Sequence, residues 1–156
     1  MRFTLMRFRN LFICTAVVAA ALFSASPSWA QTGGNRFGVW DNSKDPNNVM
    51  TYEALPNNGS KLTVSNPSKP GTEWSYETFF DGKFRPVAGQ KNSETAVEII
   101  NDKSIRIYNK RDGVVYQVVI NTLSDDNNTI NNEYIRMDKD GKITGVTHVT
   151  YNRRKK

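Results

Sequence analysis

The stretch "KSIRIYNKRDGVVYQVVINTL" (residues 103–123) contains two segments of strand length separated by a tight-turn signal. In the first segment Ile105 and Ile107 lie on one face and polar or charged side chains on the other, which is the period of two expected of a half-buried strand. The Asp-Gly pair that follows suits the positive φ angles of a hairpin turn. The second segment, 114–123, is rich in β-branched residues and apolar on both faces, so it is predicted as a central strand. The stretch therefore predicts a β-hairpin.

The same pattern continues in both directions along the chain. Further Asn-Gly and Asp-Gly pairs begin at Asn58, Asp81 and Asp140, and the pair at Asp81 is expected to turn one strand directly into the next. Between the turn signals lie nine predicted strands and a short piece around Phe37–Trp40; the nine cover 49–55, 61–65, 72–80, 83–88, 95–100, 104–109, 114–123, 129–137 and 142–151. Sequential antiparallel strands tend to curl and close, because closure removes exposed edges. The predicted fold is all-β, an antiparallel up-and-down meander forming a barrel or half-barrel of about eight to ten strands.

Residues 1–30 have the three parts of a cleavable secretory signal. The first ten residues, "MRFTLMRFRN", are basic, an apolar run extends from Leu11 to Phe23, and the small residues Ser28 and Ala30 precede the expected cleavage site. The apolar run of thirteen residues falls short of the roughly 20 needed to span a bilayer. We therefore expect cleavage after Ala30, a secreted or periplasmic protein, and no transmembrane segment in the mature chain.

Loss of this segment changes the chemistry available to the mature chain. Cys14, the one cysteine, leaves with it, so neither a disulfide nor a thiolate-bound metal is expected. Three of the 21 basic residues also leave, and 18 remain against 15 acidic residues. Four of those 18 form the terminal "RRKK", so the body is close to neutral and nucleic-acid binding is not expected. The predicted organisation is a single barrel domain at 31–151 followed by a basic tail at 152–156, which could contact anionic envelope surfaces.

Catalytic chemistry has little support in the sequence. His148 is the one histidine, so a metal site built on histidines would lack partners. Most aspartates fall in turns, where aspartate is favoured for its local hydrogen bonds. We therefore predict no enzyme activity, no catalytic residues, no bound metal and no cofactor.

Several segments resemble a family of small bacterial secreted proteins with a lipocalin-like fold and no assigned function. They are Gly38-x-Trp40, "EWSYETFFDGKFRPVAG" (73–89) and "AVEIINDKSIRIYNKRDGVV" (96–115). The resemblance implies a lipocalin-like barrel. The Gly38-x-Trp40 piece also looks like the start motif of lipocalins, in which the tryptophan closes one end of the barrel and stacks on an arginine from the last strand. By that likeness Gly38, Trp40 and Arg153 would be the barrel-closing residues.

Aromatic residues with polar tips indicate a binding function. A barrel of about eight strands has an interior that is either filled by side chains or holds one small ligand. Tyr116 and Val118 are expected to share a lumen face, as are Trp74 and Tyr76, and the candidate ligand-binding aromatics of the lumen are Tyr52, Trp74, Tyr76, Tyr116 and Tyr134.

Two functions remain open at this point. In the first, the protein is a lipocalin-like binding protein for a small apolar or amphipathic ligand held in the barrel. In the second, the barrel is filled, and the protein is an inhibitor-like extracytoplasmic module that binds a protein or an envelope polymer. A charge placed in the lumen, as in Val118→Glu, would be tolerated in a wet cavity and would be costly in a packed core.

Overall fold

The computed structural model describes residues 35–155, so the predicted signal at 1–30 lies outside the described residues. Within them the chain forms ten strands: β1 (Gly38–Asn42), β2 (Val49–Leu55), β3 (Gly59–Ser65), β4 (Trp74–Thr78), β5 (Arg85–Pro86), β6 (Ser93–Ile99), β7 (Ser104–Arg111), β8 (Val114–Leu123), β9 (Thr129–Met137) and β10 (Ile143–Arg153). Over this same range no helix has the length and apolar character needed to cross a membrane.

All ten strands belong to one antiparallel sheet that curls into a nearly closed barrel. Their order is β4-β3-β2-β1-β10-β9-β8-β7-β6-β5, so the first and last strands are neighbours and β4 and β5 lie at the two edges. One isolated bridge joins the edges: the Ser75 and Ala88 amides each donate to the other's carbonyl oxygen, at 3.0 and 2.8 Å. The predicted all-β meander of about eight to ten strands is confirmed.

The turn predicted at Asp112-Gly113 has the expected geometry. The two residues have φ angles of 48° and 82° and connect Arg111 directly to its partner Val114. Left-handed φ at both central residues is the requirement for a two-residue hairpin whose twist matches that of the strands.

The turn predicted at Asp81-Gly82 is wrong as a hairpin. β5 pairs with β6 at the far edge of the sheet instead of with β4. The positive φ angles fall on Phe80 and Gly82, at 58° and 70°, and not on two consecutive residues. The chain therefore crosses to β6 near the other edge, where Asp81 bridges Glu98 and the Gly82 amide donates to the Val97 carbonyl at 3.0 Å. The Asp81 carboxylate accepts two hydrogen bonds from the Arg85 guanidinium, at 2.7 and 2.9 Å.

Side chains alternate between the barrel interior and its outer surface. On β8, Val119, Asn121 and Leu123 are buried inside. Val118 therefore faces outward, and the expected lumen position is wrong, because a strand that is apolar on both faces gives no sign of which face is inner. Tyr116 does border the lumen, because a register shift in the β7–β8 ladder leaves it without an opposite residue and breaks the alternation.

The predicted tail at 152–156 is partly structural. β10 extends through Arg153, and the Arg154 amide donates to the Val39 carbonyl at 2.8 Å. The Arg154 guanidinium also pairs with the Asp41 carboxylate. Both arginines therefore hold the end of β10 against β1.

Candidate functional site

The end of the barrel that contains Arg36, Trp40 and Arg153, called here the closed end, is sealed by an arginine stacked on a tryptophan. Trp40 is fully buried, and the Arg153 guanidinium carbon lies 4.1 Å from the centre of its ring. The guanidinium also donates to three backbone carbonyls, those of Phe37 at 2.7 Å, Asn35 at 2.5 Å and Asn127 at 2.8 Å. A cation on an aromatic face with its donors engaged in this way is a rigid closure.

Gly38 lets the arginine approach the backbone. Its φ angle is +128°, and a Cβ at this position would lie 3.2 Å from Nη1 of Arg153. A side chain here would therefore strain the backbone and crowd the guanidinium. The structure thus brings together Gly38, Trp40 and Arg153, the three residues of the expected barrel closure.

A second arginine, Arg36, lies beneath Trp40 and was not identified from the sequence. It is fully buried; its Nε donates to Oδ1 of Asn121 at 3.0 Å, and its Nη2 to the carbonyl of Lys103 at 2.6 Å. Its own carbonyl accepts the Trp40 indole N–H at 2.8 Å. Burial lowers the pKa of Arg36 from its ordinary value. Because Arg36 precedes the first strand, it belongs to no periodic pattern that could have marked it as buried.

The other end of the barrel, called here the open end, contains Gln117, Arg136 and Thr147 and leads into a cavity of about 380 Å³. This volume lies within the range of about 300–1,000 Å³ typical of small-molecule sites. All five predicted lumen aromatics border it: Tyr52, Trp74, Tyr76, Tyr116 and Tyr134. Trp74 and Tyr76 stack on each other with ring centres 6.4 Å apart. The cavity is therefore where the sequence analysis expected the binding residues to meet.

Part of the cavity lining is apolar. It comprises the stacked Trp74 and Tyr76 of β4 together with aliphatic and thioether side chains from four further strands and the β5–β6 connection; these are Met50, Leu62, Val64, Val87, Ile107 and Val119. We call these eight residues the apolar wall. A surface of this kind binds hydrocarbon or aromatic groups by excluding water from both partners.

A connected set of amides and phenols also belongs to this region, and we call it the polar arc; it consists of Asn48, Tyr52, Asn121, Asn132, Tyr134 and Tyr151, of which all but Asn121 border the cavity. Nδ2 of Asn121 donates to the Tyr52 hydroxyl at 3.3 Å and to Oδ1 of Asn132 at 2.8 Å. Nδ2 of Asn132 donates in turn to the Tyr134 hydroxyl at 3.0 Å. Tyr134 and Asn48 both hydrogen-bond Tyr151. The polar arc thus extends from Asn121, which bonds the buried Arg36, to Tyr151 and Asn48.

The phenols of Tyr52, Tyr76 and Tyr151 are neutral at physiological pH. Burial raises the pKa of Tyr52 to about 12 and raises the pKa of Tyr76 and Tyr151 well above its usual range. A neutral phenol has a proton to donate as well as lone pairs to accept. The hydroxyls can therefore bind a ligand oxygen or nitrogen of either polarity.

Asn48 carries a polar atom that the protein leaves unsatisfied. Its Oδ1 is buried and has no hydrogen-bond partner within residues 35–155, while the residue itself borders the cavity. Buried acceptors are nearly always paired, because an unmade hydrogen bond costs about 1–3 kcal/mol.

Metal and acid–base chemistry find no built site in the part of the chain that the structure describes. No cluster of three histidine, cysteine, aspartate or glutamate side chains is arranged to hold a metal ion there. His148 lies on the outer face with its side chain 73% exposed, and its Nδ1 is 3.9 Å from Glu133. The Asp81 carboxylate is engaged by Arg85, which holds the pKa of that carboxyl well below its usual range.

Comparison with known proteins gives a likeness of fold. No family model matches the chain, and no curated protein matches it at a significant level. Among solved structures it is similar to a Schistosoma mansoni fatty acid binding protein in complex with arachidonic acid, with a TM-score of 0.59 and 10% identity over 80% of this chain and 99% of that one. It is also similar to the fluorescent protein UnaG, with a TM-score of 0.53 and 12% identity over 76% and 96% of the two chains. At these identities the likeness is one of fold alone, that of an antiparallel β-barrel.

Proposed function

We propose that this protein is a non-enzymatic binding protein for a small amphipathic ligand held in the open-end cavity. The observation that carries the proposal is the mixed lining of the cavity: the residues of the apolar wall border it together with Asn48, Tyr52, Asn132, Tyr134 and Tyr151 of the polar arc. A concave site that is mostly apolar, with a few convergent polar groups, is the usual form of a small-molecule site.

The fold comparison supports the same reading. A barrel of this class, the fatty acid binding protein, is described in complex with arachidonic acid, a small hydrophobic ligand. The cavity here also weighs against the second hypothesis from the sequence, because a module that works through its outer surface has no use for an open, half-polar lumen. The basic n-region, apolar run and small residues before position 31 support export of the protein to a secreted or periplasmic location.

The direct experiment is to express the full chain, purify the protein from its native compartment, unfold it and identify released small molecules by mass spectrometry. We expect one compound class at near-stoichiometric amount. Its absence from several independent preparations, together with no binding of added amphiphiles, would contradict the proposal.

Gly145 provides a matched pair of variants for this experiment. It pairs with Arg136 on the inner face, and nothing lies within 4 Å of a Cβ placed there. Gly145→Trp is therefore expected to fill the mouth and abolish ligand recovery without unfolding the barrel. Val146→Trp, one residue away on the outer face where Val146 is 49% exposed, is expected to retain the ligand. Equal recovery from both variants would place the ligand elsewhere.

A further inference from the structure

We infer that the ligand is an anionic amphiphile whose charged group lies at the mouth of the cavity against the Arg136 guanidinium, with its apolar body inside. This inference rests on the proposed function. It adds the charge of the ligand, its orientation and the residue that selects it.

Arg136 has the position that such a role requires. It borders the cavity, and it lies on β9 on the same face as Asn132 and Tyr134 of the polar arc. It is paired across the ladders with Gln117 and Gly145. The absence of a side chain at Gly145 leaves space beside the guanidinium, because a Cβ there would touch nothing within 4 Å.

Within residues 35–155, Arg136 differs from the other arginines in making no hydrogen bond or ion pair with the protein. The two acids of the adjoining β9–β10 loop are engaged elsewhere. The Asp138 carboxylate accepts backbone amides at 2.9 and 3.0 Å, and Asp140 pairs with Lys139 at 3.2 Å. The five donors of the Arg136 guanidinium therefore remain available at the rim.

The second cation at the mouth is already neutralised. Lys110 borders the cavity, but its ammonium lies 2.6 Å from the Glu94 carboxylate and 4.1 Å from the centre of the Phe84 ring. Of the two cations that line the cavity, Arg136 is thus the one without an acidic partner among the described residues. A carboxylate, sulfate or phosphate group accepts bidentate hydrogen bonds from a guanidinium, which gives both affinity and a fixed orientation.

The depth of the site matches an elongated ligand. From Arg136 to Asn132 is four residues along β9, or roughly 13 Å at the rise of a strand. A ligand anchored at the rim can therefore reach the polar arc at the cavity floor while its hydrocarbon part lies against the apolar wall.

The test compares two probe series, saturated fatty carboxylates and the primary alcohols of the same chain lengths, by titration calorimetry on protein produced from the full chain. For the wild type we expect the best carboxylate to bind about tenfold more tightly than its alcohol, the factor that a charge-assisted hydrogen bond supplies. Arg136→Gln should remove this preference by weakening carboxylate binding. Gly145→Glu should also remove the preference, because it places an internal carboxylate beside Arg136. Lys142→Gln is the control with the same change in charge at the same end; it should alter both affinities by no more than about twofold, since exposed charges are screened by salt.

The outcomes separate the inference from the proposed function. If carboxylate and alcohol bind the wild type equally, or if Arg136→Gln keeps the preference, the inference is overturned while the proposed function stands. If neither series binds at any chain length and Gly145→Trp changes nothing, both fail.

Discussion

The closed and open ends of this barrel use the same residue types to opposite effect. At the closed end Arg153 stacks on the fully buried Trp40 and donates its hydrogen bonds to backbone carbonyls. Arg36 lies beneath them and donates to Asn121 and to the Lys103 carbonyl. At the open end Trp74 and Arg136 border a cavity and remain available to a ligand. The role of an arginine or a tryptophan here therefore depends on whether the protein itself supplies the partners of its side chain. Its presence in the lumen does not by itself indicate a binding role.

The largest difference in unfolding free energy is expected between two variants that each place a carboxylate on the inner face of β8, one toward each end of the strand. Leu123→Glu puts a carboxylate where the side chain is 1% exposed, so the protein should fail to fold, or lose several kcal/mol of unfolding free energy. Gln117→Glu keeps the oxygen that accepts from Asn109 and borders the open mouth, so the loss should stay within about 0.5 kcal/mol. Urea denaturation followed by circular dichroism measures both. Similar losses would mean that the two ends do not differ in packing.

Removing each of the two lumen tryptophans provides a second comparison of stability between the two ends. Trp40→Ala should cost about 3–5 kcal/mol, because it removes a fully buried ring and the surface on which Arg153 stacks. Trp74→Ala should cost about 1 kcal/mol, because its ring is half-buried and borders empty space. Thermal and chemical unfolding of the two variants test this order. A larger loss for Trp74→Ala would reverse the assignment of closed and open ends.

Tyr52, which lies where the two ends meet, should make the fold sensitive to alkali. The folded pKa of about 12 lies above the usual value of 10.0, so the stabilising effect of the neutral phenol is complete below about pH 10 and is lost as the pH rises toward 12. Over that window the wild type should lose about 2–3 kcal/mol more unfolding free energy than Tyr52→Phe. The measurement is urea denaturation of both proteins at a series of pH values. Parallel pH profiles would show that this phenol is not buried.

The smallest effect is expected on the outer surface of the closed end. Arg85 holds the pKa of Asp81 below its usual value, so this pair stabilises the fold above the ordinary carboxyl pKa and its contribution is lost as the pH falls. Asp81→Asn should cost about 0.5 kcal/mol at neutral pH, as is typical of exposed pairs. A loss comparable to that of Trp40→Ala would show that sensitivity depends on the end of the barrel and not on burial.

The strands could be predicted from the sequence because their signals are local. β2, β8 and β9 begin and end where the alternation of side chains and the flanking turn residues indicate. The shared face of Trp74 and Tyr76 followed from the same alternation, whereas Tyr116 borders the cavity because a register shift breaks it. The closing contact between Trp40 and Arg153 was anticipated through a three-residue likeness to lipocalins, with no local signal of its own.

The features that escaped prediction depend on long-range pairing. Nothing near Asp81 shows that β4 and β5 belong to opposite edges of the sheet, because that placement follows from the closure of β1 on β10. Arg36 and Asn121 are 85 positions apart, and the burial of each depends on the other. Arg136 is unpaired because of the residues that surround it in the folded barrel. No sequence motif encodes those surroundings.

The pairing of β1 with β10 also bears on how the chain reaches this structure. Arg153 bonds a carbonyl 116 positions earlier, so the closing contacts join the most distant segments of the barrel. Loop-closure entropy opposes such contacts, and folds dominated by them form slowly. A nascent chain that still lacks β10 has an unpaired β1 edge and an uncovered apolar wall, which is the kind of surface that chaperones bind. Synthesis of β10, and not the emergence of the first strands, is therefore the event that commits this protein to its fold.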